Sequence, residues 1–334
     1  MSSSSSSSRR TQRPDAASRL LLLTGALLAA ALLAELALRA GQAWSLAGLG
    51  AVGVVHRASQ DPELVYELVP GAETTRDGIP IRINADGFRD DPFPGPRRPG
   101  EFRVVVLGDS VAAGHSVALE EAFPQLLEAR LRESLPAGAR LATVLNFGVY
   151  GYATRQELRL LETRGLAYEP DLVILAYHLN DPDVADAGQA RHFRRPPSYL
   201  LDELRGAARA WRLRRDAREY HRRIHADHGA EIAADFARLG TLSADSGVPV
   251  LVAVLPLFEW QRDYAWADLH RRLGELARAN GLAFLDLAPR LVARPVAEVG
   301  HNVWHPNARG HALIADELFD WIRVHGRVRR RVDR

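Results

Sequence analysis

Within the stretch VVVLGDSVAAGHSV, residues 104 to 117, three valines lead to Gly108-Asp109-Ser110, and small residues follow. Consecutive valines read as a buried strand, so Ser110 stands where a strand gives way to a turn. A serine hydroxyl at such a point is either a nucleophile for acyl transfer or a polar residue that satisfies the turn. Other apolar runs also end in residues with chemical capacity. These are Asn146-Phe147-Gly148, His178-Leu179-Asn180-Asp181 and, beyond the last run, HNVWHPNARGH from His301. An ester hydrolase requires a nucleophilic oxygen, a base to take its proton, and donors aimed at the oxyanion of the tetrahedral intermediate. Taken singly, each residue also has a structural role open to it: Ser110 at a helix start, His305 as a helix cap, Gly148 and Asn180 as turn residues. Their order along the chain points to chemistry.

Groups like these must be held by a sheet. Apolar runs at 103–107, 141–146, 171–177, 248–255 and 282–287 alternate with helical patterns at about 121–134, 153–166, 199–240, 265–280 and 307–323. Short buried strands alternating with amphipathic helices predict a parallel α/β sheet covered on both faces, with ligands bound beyond the carboxyl ends of its strands. Pro124 and Gly281 supply a helix start and a helix stop. The 334 residues are 47% hydrophobic and 25% charged, the balance of a chain that builds a sizeable core. All 43 basic residues are arginine, and 41 acidic residues bring the net charge to +2, which argues against a nucleic-acid partner. The absence of cysteine excludes disulfides, thiol catalysis and cysteine-based zinc sites. Neither an HExxH motif nor a P-loop is present.

With the four blocks in this order, the sequence resembles the SGNH hydrolases, or GDSL-type esterase family, over roughly Phe102 to Trp321. The arm containing INADGFRD is similar to membrane-anchored bacterial members. The resemblance implies an α/β fold, a three-layer α/β/α sandwich with a mostly parallel five-stranded, flavodoxin-like sheet. It also implies Ser110 as nucleophile and His305, just before Pro306, as base. The backbone N–H groups of Ser110 and Gly148 and the carboxamide of Asn180 become the oxyanion donors, with no cofactor or metal. Gly108 is expected to permit the tight turn, and glycine at 148 to leave room for substrate.

Two residues depart from that pattern. Three residues before the histidine the family usually has Asp, and here stands Asn302. A carboxamide oxygen can orient the imidazole, but it brings no charge, and an amide presenting its NH₂ would select the wrong tautomer. Glu298, shortly before His305, and Asp109, beside Ser110, are the acids that could substitute, neither at the family's spacing. His178 replaces the glycine common in the third block and puts a bulky, titratable ring near the oxyanion site.

Around this core, residues 1–19 read as a disordered basic cytoplasmic tail. Residues 20–38 read as one transmembrane helix of nearly bilayer length, with a cleavable signal peptide as the rival reading. Residues 39–60 read as a linker, GLGAVG included, and 61–100 as an irregular arm. The hydrolase domain covers 101–325 with a basic helical insertion at about 182–245, and 326–334 form a basic tail. Trp211 and Tyr220 are expected to pack within the insertion, whose arginines read mostly as a solvated face. His221, His225 and His228 share a helical stripe that could hold zinc, the less favoured reading of it. The arginine-rich N-terminus places the main domain outside the cytoplasm. The expected function is an extracytoplasmic serine esterase acting on O-acyl esters of envelope or exported carbohydrate or lipid. An O-acyltransferase using the same site and a catalytically impaired carbohydrate-binding protein are the alternatives.

Overall fold

The computed structural model describes residues 15–48, 55–182, 193, 196–258 and 263–326. The serine tract, residues 49–53 of GLGAVG, most of RHFRRPP and the C-terminal basic tail lie outside them.

The chain begins with helix α1 (Ala16–Gly48), started by the Asp15 carboxylate accepting from Ser18 N–H. Its stretch Ala16–Gly41 has a mean hydropathy of 2.2 and is the one helix among the described residues long and apolar enough to cross a membrane. The helix continues through residues 39–48, expected to be linker, because Arg39 to Gly48 holds no proline and stays rich in helix formers.

The arm is more regular than its composition suggests. It forms two antiparallel hairpins, β1 (His56–Ala58) with β2 (Tyr66–Leu68) and β3 (Glu73–Arg76) with β4 (Ile79–Arg82). The tight Asp77-Gly78 turn, both residues at positive φ, closes the second.

The domain itself alternates strand and helix. Its elements are β5 (Glu101–Gly108), α2 (Phe123–Glu133), β6 (Leu141–Asn146), α3 (Thr154–Thr163) and β7 (Leu172–His178), then α4 (Tyr199–Arg215), α5 (Ala217–Asp227), α6 (Gly229–Ser246) and β8 (Val250–Leu255). There follow α7 (Ala267–Ala279), β9 (Ala283–Asp286), α8 (Ala288–Val292), α9 (Val296–Val299) and α10 (Ala308–His325). All strand pairs of the sheet are parallel, in the order β6-β5-β7-β8-β9. Residue alternation divides the core in two. Val105 and Leu107 of β5 face α3, α6 and α7, whereas Val104 and Val106 face α2, α8 and α10.

One expected boundary shifts. The insertion expected at about 182–245 ends earlier, because α6 buries Phe236, Leu239 and Gly240 against the sheet and packs beside α3 and α7. It is the crossover helix of the β7–β8 unit, so the addition to the fold is α4 and α5.

In this strand order the chain reverses direction across β5, and the crevice between β5 and β7 is where such sheets bind ligands. Ser110 follows β5, and Asn180 follows β7.

Candidate active site

Ser110 sits just past β5 in a tight turn, partly exposed, and no α-helix starts until Phe123. A Cβ on Gly108 would lie 2.7 Å from the Ala112 Cβ, so crowding, not turn freedom, demands glycine there. Gly148 is dictated in the same way. A Cβ on it would approach the Ala113 nitrogen to 2.4 Å, so glycine lets the loop after β6 press onto the nucleophile turn instead of clearing space for substrate.

The loop before α10 brings the base. His305 Nε2 lies 3.0 Å from Ser110 Oγ. Asn302 Oδ1 accepts from the backbone N–H groups of Trp304 and His305, each at 2.9 Å, and from His305 Nδ1 at 3.1 Å. Two backbone donors fix which end of the carboxamide is the oxygen. The imidazole proton therefore sits on Nδ1, leaving Nε2 to accept from the serine hydroxyl, the tautomer a general base needs. Asn307, not His305, caps α10 by accepting from Gly310 N–H at 3.0 Å. Asp109 accepts from Val111 N–H at 2.8 Å and lies 3.4 Å from Ser110 Oγ, while Glu298 faces Arg309. Neither acid bonds His305 among the described residues.

The expected oxyanion donors divide. The Ser110 N–H has no hydrogen-bond partner among the described residues. Gly148 N–H instead donates to Asn146 Oδ1 at 2.9 Å. Asn180 Oδ1 lies 2.6 Å from His178 Nδ1, and the Asn180 backbone N–H lies 3.4 Å from the same nitrogen, so the ring holds the residue at the strand end. His178, anticipated as an obstruction, is buried and orients Asn180.

Burial pushes the His305 pKa down to about 3, with His115, His178, His301 and His311 adding to the effect. His305 is therefore neutral, and able to accept a proton, over the whole neutral range. Its ring stacks on His115 at 4.1 Å between centroids and 19° between planes. His115 is held in turn by Ser116, whose φ of +69° is a strained conformation for a serine.

The sequence alone does not single out His115, nor the structural part that Arg89 and Asp90 of INADGFRD play. Arg89 is buried and donates to the carbonyls of Ala113 (3.0 Å), Gly114 and Val117 (2.9 Å), clamping the turn that follows Ser110. Asp90 accepts from Asn146 N–H and Gln125 Nε2, both at 2.8 Å, and burial raises its pKa to about 7. The Arg89-Asp90 pair directly after Phe88 was the available signal. The three histidines of the insertion meet separate partners. His221 packs against Trp266 and Trp304, His225 Nε2 donates to the Leu179 carbonyl at 2.9 Å, and His228 pairs with Glu231. Among the described residues no group of three His, Asp or Glu is arranged to hold a metal ion. Tyr220 is buried as expected, whereas Trp211 is exposed.

Comparison with known proteins places this geometry. The model of the GDSL-like lipase/acylhydrolase family matches residues 106–313. Among solved structures, the alpha/beta hydrolase LAE5 from the metagenome of Lake Arreo, Spain, is 17% identical over 66% of this chain and 94% of its own, with a TM-score of 0.46. A variant of an acetyl-xylooligosaccharide esterase from Geobacillus stearothermophilus is 17% identical over 70% of this chain and 100% of its own, at 0.47. The two-domain esterase CEX, active on acetylated mannans, is 18% identical over 67% of this chain, at 0.44, and the match spans 49% of CEX. Among curated proteins none matches the chain. Because the family match takes in more than half the chain and includes both the serine and the histidine that meet at the sheet's carboxyl edge, the protein belongs to the GDSL-like lipase/acylhydrolase family, as an SGNH-type esterase.

Proposed function

We propose that this esterase works through an acyl-enzyme on Ser110. The observation carrying the reading is the unbroken hydrogen-bond chain from Ser110 through His305 to Asn302. Ser110 Oγ attacks the ester carbonyl as its proton passes to His305 Nε2, and the oxyanion takes hydrogen bonds from Ser110 N–H and the Asn180 carboxamide. Gly148 N–H joins them only by releasing Asn146. Collapse expels the alcohol, which leaves with the proton held on His305. Water, deprotonated by the same ring, then attacks the acyl-enzyme and releases the acid. The imidazolium formed at each step faces no carboxylate, and the Asn302 carboxamide oxygen is the dipole that holds its Nδ1 proton.

The substrates proposed are O-acyl esters of envelope or exported carbohydrate or lipid. That assignment follows from topology, with α1 as a single-pass anchor, the N-terminus cytoplasmic and the domain outside. Reporter fusions at the C-terminus test the topology, and a cytoplasmic C-terminus would remove its basis. The nucleophile is tested by the intact mass of the full-length protein in detergent after exposure to a fluorophosphonate, which reacts with activated serines. One adduct is expected, lost in Ser110→Ala. An unmodified wild-type chain would leave the fold without the proposed catalysis.

A further inference from the structure

Helix α4 has no buried residue, and its main packing partners are α1 and α5. Leu201, Leu204 and Trp211 are 46%, 59% and 56% exposed, more than a soluble helix usually leaves on one side. With Ala208, their spacing puts them on a single stripe. Arg205, Arg209 and Arg212 form the adjoining stripe. Together with Tyr220 and Arg223 of α5 they line a cavity of about 280 Å³.

The start of α4 is tied to α1. Glu35, the one acid within the apolar helix, accepts from Ser198 Oγ at 2.9 Å and from the N–H groups of Tyr199 and Leu200 at 3.1 and 2.9 Å. It thus caps another helix, placing negative charge at the positive end of that helix's dipole. Arg39 pairs with Glu35 at 2.7 Å, donates to the Pro197 carbonyl at 2.7 Å and lies over the Tyr199 ring. A removable leader would need no such contact. Along α1, Glu35 lies about 22 Å from Leu20 at a rise of about 1.5 Å per residue, toward the far side of a hydrocarbon core of roughly 30 Å. Helix α4 therefore begins in the outer leaflet.

We propose that α4 lies in the outer face of the bilayer. Leu201, Leu204 and Trp211 enter the upper acyl region, and Arg205, Arg209 and Arg212 meet the phosphates of anionic lipids. The proposal rests on reading α1 as a retained anchor. Its partner is a lipid surface because the exposed stripe is continuous, through the Glu35 contact, with the apolar surface of α1. An apolar stripe flanked by arginine, with aromatics at headgroup depth, is also the composition of an interfacial helix. The consequence reaches the active site. Helix α5 follows directly, and its His225 holds the Leu179 carbonyl next to Asn180, so the site stands at a set height above the membrane.

The test uses the full chain in vesicles of phosphatidylcholine with and without phosphatidylglycerol. Bromine on the upper acyl chain is expected to quench a fluorescence component absent from Trp211→Phe. Amide exchange across residues 201–213 should slow at least about tenfold when phosphatidylglycerol is present. Changing Arg205, Arg209 and Arg212 together to Gln should abolish that dependence on phosphatidylglycerol while hydrolysis of a soluble ester persists. Quenching of Trp211 by aqueous iodide but not by brominated lipid would overturn the proposal, as would protection by a soluble polyuronate in place of vesicles. Intact mass of the same sample separates the two readings. Loss of the N-terminal residues would remove the anchor and the proposal together, whereas full mass with unquenched Trp211 would sink the placement of α4 alone.

Discussion

Asn302 decides how much of a triad this site retains. The loss caused by an Asp-to-Asn change in serine proteases, about 10⁴ in kcat, is attributed to the wrong tautomer. Here the backbone N–H groups of Trp304 and His305 hold the carboxamide oxygen toward the ring, so the tautomer is right and only the charge is missing. An adjacent carboxylate raises the pKa of an imidazole by about 1–3 units. Asn302→Asp can accept the same three hydrogen bonds and is therefore expected to raise kcat roughly ten- to a hundredfold at neutral pH, with the acid limb of the pH–rate profile moving to higher pH. A loss of activity with an unmoved limb would show that the neutral carboxamide is needed for more than orientation. The asparagine itself was legible in the sequence. Its rotamer was not, because it is set by donors in a loop whose closure depends on Phe258 N–H donating to the Val303 carbonyl.

The arm acts as a clamp on the catalytic loops. Hairpin β3–β4 leads into the segment that sends Arg89 into the carbonyls after Ser110 and Asp90 onto the loop after β6. Removing the guanidinium leaves buried carbonyls without donors, at about 1–3 kcal/mol each. Arg89→Met should destabilise the protein by on the order of 3 kcal/mol in denaturant unfolding. It should also slow fluorophosphonate labelling of Ser110 under conditions where the chain remains folded. Unchanged labelling would make the clamp a matter of stability alone. The five strands and most helix positions were readable from periodicity, since an apolar run between turn signals constrains a buried strand tightly. The arm and the end of the insertion were not. Short hairpins carry little period, and where an insertion ends and a crossover helix begins is settled by which helix packs on the sheet, as α6 does and α4 does not.

Over the whole molecule, buried titratable groups set opposing pH limbs. Burial lowers the pKa of His221 and His311 to about 3 and of His225 to about 4. The unfolded chain takes up those protons from about pH 6.5 downward, so this contribution to stability is present above about 6.5 and is lost as pH falls toward about 3. Burial acts oppositely on Asp90, raised to about 7, and on Glu157 and Asp181, raised well above the usual carboxylate range. The folded protein keeps protons that the unfolded chain releases, so their contribution declines as pH rises. Glu157→Gln is expected to gain stability relative to wild type between about pH 6 and 9, read from denaturant unfolding at both values. An equal difference at both would show that Glu157 is not the group titrating.

The sequence by itself determined the strand and helix alternation, the strand ends where chemistry collects, the apolar N-terminal helix and the missing carboxylate at Asn302. All of these are local: a period, a spacing, a residue type. Tertiary structure alone decided that Gly148 turns its N–H onto Asn146, that His178 holds Asn180, that His115 covers the face of His305, and that Glu35 of the apolar helix caps α4. Each of these joins residues far apart in the chain or depends on which of several possible donors comes within about 3 Å; hydrogen bonds fall away beyond that range and ring contacts beyond about 7 Å between centroids, and sequence spacing carries neither distance.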